Sequence, residues 1–262
     1  MLQAPQRTAF SGPALIRVLA RLTDHDVPES SQSLSDRLSQ WLGWTDAIGL
    51  STALSGQLPS GTPQGGQPRG GQPPAVAAGA RANGHAEEAE CTRVRTSLAN
   101  AIVGDSTFAV ARRRTSAQAA AQDASADTAV DYAVFRQRYL SIQQTIEAAV
   151  GNLRGRLRTV LATRTPAMAR LAVVDAVMER ALSAREHNLL ATVPGMLAGH
   201  FERLREAERE TLAAAEAAGE VAGIRTGAWL DVFRKDIQSV LLAELDLRFQ
   251  PVEGLLAALL TR

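Results

Sequence analysis

From Phe135 onward the apolar residues of this chain recur at alternating steps of four and three: Phe135, Tyr139, Ile142, Ile146, Ala149 and Leu153. Steps of that size gather the side chains on one side of an α-helix and form a heptad seam, whereas a strand would need alternation with period two. Arg156 interrupts the strict register, and Leu157, Val160 and Leu161 carry the stripe onward. Gly151 and Gly155 weaken the helix where the register drifts. A helix of roughly 35 residues is about 50 Å long. Such a seam needs a second apolar surface, and no stretch of the chain alternates as a strand does. The expected fold is therefore all-α: an elongated antiparallel helical bundle, or coiled-coil-like helices, with a small tethered N-terminal helical module.

Helix punctuation divides the chain into three zones. Residues 8–56 read as the N-terminal module. Ser11 and Pro13 open a helix carrying Leu15, Leu19 and Leu22; Ser33 and Asp36 form a capping-box variant before Leu38 and Trp41; Thr45 or Asp46 caps a third helix closed by Gly56. Residues 57–86, rich in Gly, Pro and Gln, read as a flexible linker that cannot bury enough surface to offset its ordering entropy. Residues 87–262 read as the bundle, with 113–127 as a second flexible stretch. Within it Thr165-Pro166 is a stop and restart, Pro194-Gly195 another, and a turn is expected between Gly219 and Gly227. Pro251 is expected to open a short terminal helix.

Charge and composition exclude several function classes. The chain has 262 residues with 28 basic and 27 acidic groups, so it is not a general polyanion binder. Aromatics are 4%, too few for a ring-rich core to be expected. No run approaches the roughly 20 apolar residues of a membrane helix, and Arg17 and Arg21 break the apolar N-terminal stretch that a signal peptide would need. With one cysteine, Cys91, no intramolecular disulfide forms. A cytoplasmic protein is the expectation.

The near-neutral total conceals an asymmetry. Residues 131–170 hold 7 basic and 2 acidic groups, and residues 171–262 hold 10 and 14. A basic helix followed by acidic ones fits antiparallel neighbours with complementary faces; pairing between copies is the next possibility. Alternatively Arg154, Arg156, Arg158 and Arg164 form a phosphate-contacting face for nucleic acid. No aromatics interleave with them to stack bases.

Catalytic patterns are not found. His25, His85, His187 and His200 never stand at ligand spacing, no Cys pair exists for zinc, and no serine-hydrolase elbow occurs. Lys235, the only lysine, reads as a solvated helix residue, and the absence of any other lysine removes a phosphate loop. Glu206 and Glu210 lack the Glu-x-x-His partners of a carboxylate-bridged metal site. No cofactor or metal is expected. Trp41 and Trp44, three apart in QWLGW, form either part of the module's own core or a partner-recognition surface.

The opening APQRTAFSGPALIRVLARLTD, the stretch SLSDRLSQWLGWTDAIGLSTAL and the ending FRKDIQSVLLAELDLRFQPVEGLLAALL resemble a family of uncharacterised bacterial proteins known only as a domain of unknown function. The resemblance implies no activity, cofactor or catalytic residue. What the residues support is a non-enzymatic interaction, scaffold or adaptor protein that self-associates through its long helices. Its candidate contact residues are Trp41, Trp44, Phe135, Tyr139, Ile142, Ile146 and Leu153. The alternative is a nucleic-acid-associated protein using the 154–164 arginines.

Overall fold

The structure, a computed structural model, describes residues 13–23, 33–55, 74–109, 130–219 and 227–261. The expected cap at Ser11, His25, the flexible stretch 113–127 and the first part of the linker lie outside these residues. Among them every regular element is a helix: α1 (Ala14–Thr23), α2 (Leu34–Trp41), α3 (Trp44–Ser55), α4 (Pro74–Val103), α5 (Tyr132–Ala162), α6 (Pro166–Leu190), α7 (Val193–Ala218) and α8 (Ala228–Leu260). The all-α expectation holds.

Local chemistry sets many of the boundaries. Ser33 caps α2, its hydroxyl oxygen accepting from the Asp36 amide at 3.1 Å. Thr165 does the same for α6 through the Met168 amide, with Pro166 at the first helical position. α7 ends before Gly219 and α8 starts after Gly227, both with φ positive (73° and 84°), a region that favours glycine. Residues 220–226, where the turn is expected, lie outside the described residues.

The chain folds as two units. The first comprises Met1–Pro28, Ala99–Gln143 and Val193–Leu247; the second comprises Glu29–Leu98, Gln144–Thr192 and Arg248–Arg262. The segment 8–56 is accordingly not one tethered module. α1 packs on α7 within the first unit, with Leu15, Ala20 and Leu22 buried and Arg203 donating to the Leu22 carbonyl at 2.5 Å. α3 packs on α6 within the second unit. α1 and α3 thus each dock on a longer helix, a support that a module of about 45 residues lacks alone.

In the first unit α7 and α8 run antiparallel: Glu208 accepts from the Gly227 amide, and His200 pairs with Asp236 at 2.9 Å. Between them and the start of α5 lies the ring-rich core that the composition argued against. Tyr132, Phe135, Phe201 and Phe233 stand with centroids 5.0–6.2 Å apart, Trp229 meets Phe201 edge-on at 4.8 Å, and Phe108 stacks on Phe135 at 6.4 Å. Aromatics are scarce but concentrated, six of the chain's 11 in one cluster. Beside it Tyr139 donates to Glu244 Oε2 at 2.6 Å and Gln143 Nε2 donates to Oε1 at 3.0 Å, a fully buried carboxylate held by two polar partners.

In the second unit α5 and α6 form an antiparallel hairpin across Thr163–Thr165, while Arg95 of α4 pairs with Glu253 and lies over the Phe249 ring at 5.7 Å. The second half of α8 passes through Pro251 without a break, so the expected terminal helix is the end of α8. An interior proline costs about 3 kcal/mol; Val252, Leu255 and Leu259, all buried, hold the helix together beyond it. α4 starts at Pro74, inside the expected linker. The Ala-rich sequence after that proline has high helix propensity, and the Gly/Pro/Gln composition ends before it.

The seam of α5 also has a different period. Its buried apolar residues beyond Phe135 are Tyr139, Ile142, Ile146, Val150, Leu153, Leu157 and Leu161, with Ala149 only half-buried. From Tyr139 the steps are 3, 4, 4, 3, 4 and 4, six steps in 22 residues or about 3.67 each. That lies near the 3.6 of a straight helix rather than the 3.5 of a heptad coil. The apparent register break at Arg156 disappears, since Val150, not Ala149, belongs to the stripe.

Replacing Phe233, which touches the rings of Tyr132, Phe135, Phe201 and His200, by Ala is expected to cost about 3–5 kcal/mol in a denaturant melt; a loss under 1 kcal/mol would contradict the ring cluster as the core. Tyr132 gives a pH signature. Burial pushes its phenol up to about 12, against a lowering pull from Arg136, and its hydroxyl donates to the Pro194 carbonyl. The neutral phenol is favoured in the folded state, so its contribution is flat below about pH 10 and lost as pH climbs towards 12. The stability difference between wild type and Tyr132→Phe should shrink across that window, read from paired unfolding curves.

Candidate functional site

The second unit carries a corner where α2 stops and α3 begins. Leu42 turns to extended backbone, its amide still bonded to the Leu38 carbonyl, and the Ala47 amide bonds back to Gly43. α3 therefore starts at Trp44, one residue earlier than the expected caps Thr45 and Asp46. The break separates the two indoles that one continuous helix would have aligned. Trp41 is half-buried, with the Arg185 guanidinium 4.4 Å over its ring. Trp44 is 82% exposed.

α3 cannot hide its apolar residues because they surround it. Ala53 is buried and Gly49 faces Val177 of α6, where an added Cβ would stand 3.6 Å from a Val177 methyl. Trp44, Ile48 (50% exposed) and Leu54 (65% exposed) remain outside. The helix's only charge, Asp46, is paired with Arg180 of α6 at 3.0 Å. The outer face is thus apolar or hydroxyl-bearing and uncharged: Trp44, Ala47, Ile48, Ser51, Thr52 and Leu54.

Beside it, α6 buries small residues. Ala172, Val177 and Leu190 face inward, whereas Met168, Leu171, Val174 and Met178 are half-buried and Leu189 is exposed. Small side chains on α6 leave a shallow, open depression along the hairpin, lined also by Arg180 and by Gly155, over which Arg158 lies.

The remaining sequence candidates fall elsewhere. Phe135, Tyr139, Ile142, Ile146 and Leu153 are all buried inside the chain. Arg154 bonds Asp175 at 2.6 Å and Glu179 at 3.3 Å, and Arg158 bonds Asp175 at 3.0 Å and also Glu179. Arg154 and Asp175 are each only 11% exposed. Burial pulls the Arg158 guanidinium down, but its two carboxylate partners more than reverse this and hold it above its ordinary value. Arg156 points instead to Glu87 of α4 at 2.7 Å, and the hydrogen bond with that carboxylate raises it too. Arg164 lies half-buried in the turn after α5. Arg154 and Arg158 thus point to α6 and Arg156 to α4, and the three do not converge on one open face.

His85 lies beside Glu88 and His187 beside Glu147, both exposed; His200 is buried against Asp236 and Phe233. Among the described residues no group of three or more His, Cys, Asp or Glu could hold a metal ion, and no helix is long and apolar enough to cross a membrane. Burial, then the Glu87 and Glu90 carboxylates, push the Cys91 thiol up, the opposite of an activated nucleophile. Sequence reasoning missed Glu244. Its signal was a carboxylate at 237, 240, 241, 244 spacing, where the apolar stripe of α8 demands a hydrophobe.

Asp175 is the hub of the hairpin's charges, so Asp175→Ala should lower stability by about 1–3 kcal/mol by leaving two semi-buried guanidiniums short of a partner. Arg93→Ala, at an exposed pair with Glu90, should leave the unfolding midpoint unchanged. Equal effects would contradict the hub assignment.

Over residues 1–261 the chain matches, and belongs to, the family described as Protein of unknown function (DUF3348). No curated protein and no solved structure is detectably similar to it.

Proposed function

We propose that this member of the DUF3348 family is a non-enzymatic interaction protein that self-associates, and that its contact surface is the outer face of α3. The observation that carries this reading is Trp44, 82% exposed beside Ile48 on an uncharged helix face. Indole is the side chain most enriched among residues that dominate binding energy, and its exposure is costly without a partner. An uncharged face can meet its own copy without like-charge repulsion, as an isologous two-fold contact requires. The α5 seam is a weaker candidate because its side chains are already buried within one chain.

Light scattering on the purified full chain at tens of micromolar tests this. Wild type is expected to show a mass above the monomer's, and Trp44→Ala to move it towards the monomer while leaving helix content unchanged. A strictly monomeric wild type, or an oligomer indifferent to Trp44→Ala, would overturn the proposal.

A further inference from the structure

Resting on that reading, we infer that α3 of one copy packs antiparallel on α3 of a second copy about a two-fold axis, with Trp44 over Ser55 of the other copy and Ile48 over Ser51. Asp46, Gly49 and Ala53 turn inward: Asp46 pairs with Arg180, Gly49 lies against Val177, and Ala53 is buried. The opposite side carries Trp44, Ile48, Ser51 and Ser55 at steps of 4, 3 and 4, all four exposed. Those are the steps of a seam between two helices.

Size runs along this seam. The bulky Trp44 and Ile48 fill its first half, and the small Ser51 and Ser55 its second. Parallel pairing would set indole against indole and serine against serine, crowding one end and opening a gap at the other. Antiparallel pairing sets a large side chain on a small one at both ends, as close packing requires. A two-fold operator repeats each such contact, residue i meeting j and j meeting i.

Charge and hydrogen bonding favour the same partner. Antiparallel helices bring each positive N-terminal end beside the other's negative C-terminal end. The face has no charged side chain to desolvate, because Asp46 is turned to Arg180. The Thr52 and Ser55 hydroxyls already donate to the Ile48 and Thr52 carbonyls at 2.9 and 3.1 Å, so covering them leaves neither donor unpaired. A seam of 12 residues is short, so the pair is a reversible one that forms at micromolar concentration.

Crosslinking of single-cysteine variants of the full chain with a short bismaleimide tests the arrangement. Because position 48 meets 51, the two Ser51 positions stand about 4.5 Å apart along the helix axis; because 44 meets 55, the two Ser55 positions stand about 16 Å apart. At tens of micromolar, Ser51→Cys is expected to link into a dimer several-fold more than wild type, whose Cys91 is buried, while Ser55→Cys stays at the wild-type level. Adding Trp44→Ala to Ser51→Cys should abolish the link. If Trp44→Ala lowers the light-scattering mass but Ser51→Cys links no more than wild type, or Ser55→Cys links equally well, the antiparallel pairing is overturned while the α3 surface stands. A wild type that stays monomeric removes both.

Discussion

Eight apolar side chains of α5, from Phe135 to Leu161, are withdrawn from water inside a single chain, and this burial decides what the rest of the molecule can offer. A seam of this kind, seen only as spacing, is the ordinary starting point for association between copies. Here its period lies near that of a straight helix, and its side chains are occupied by α5's neighbours within each unit. In the first unit the start of α5 feeds the aromatic cluster and supplies Tyr139 and Gln143 to the buried Glu244 carboxylate. The proposed self-association therefore needs a surface elsewhere, and α3 is the helix whose apolar residues outnumber the positions it can bury.

Charge follows the same logic. The basic helix and its acidic successor are neighbours in one hairpin, so their opposite signs are spent on each other: Arg154 and Arg158 against Asp175 and Glu179. Such semi-buried pairs add modestly to net stability but penalise alternative registers, because sliding the hairpin would strand guanidiniums without carboxylates. The same economy holds at Asp46 and Arg180, where the pairing docks α3 and strips its outer face of charge.

What could be read from the sequence was local. Ser33, Thr165-Pro166, Gly219 and Gly227 mark helix ends through their own capping chemistry, and each behaves accordingly. The helical class followed from spacing alone. What escaped was non-local. Pro251 reads as a start until Leu245 and Phe249 before it and Val252, Leu255 and Leu259 after it are seen buried along one helix. The N-terminal helices read as a module because nothing in their own residues says that α1 docks on α7 and α3 on α6. Of the candidate contact residues, Trp41 and Trp44 look equivalent in QWLGW; only the turn at Leu42-Gly43 sends one beneath Arg185 and the other into water.

The central claim, that Trp44 is exposed in one chain because another chain covers it, is tested most directly by oxidative footprinting of the three tryptophans as the protein is concentrated. The account predicts that Trp44 oxidises readily at sub-micromolar protein and becomes several-fold protected at tens of micromolar, while Trp41 and Trp229 do not change. Labelling of Trp44 that is independent of concentration would contradict it.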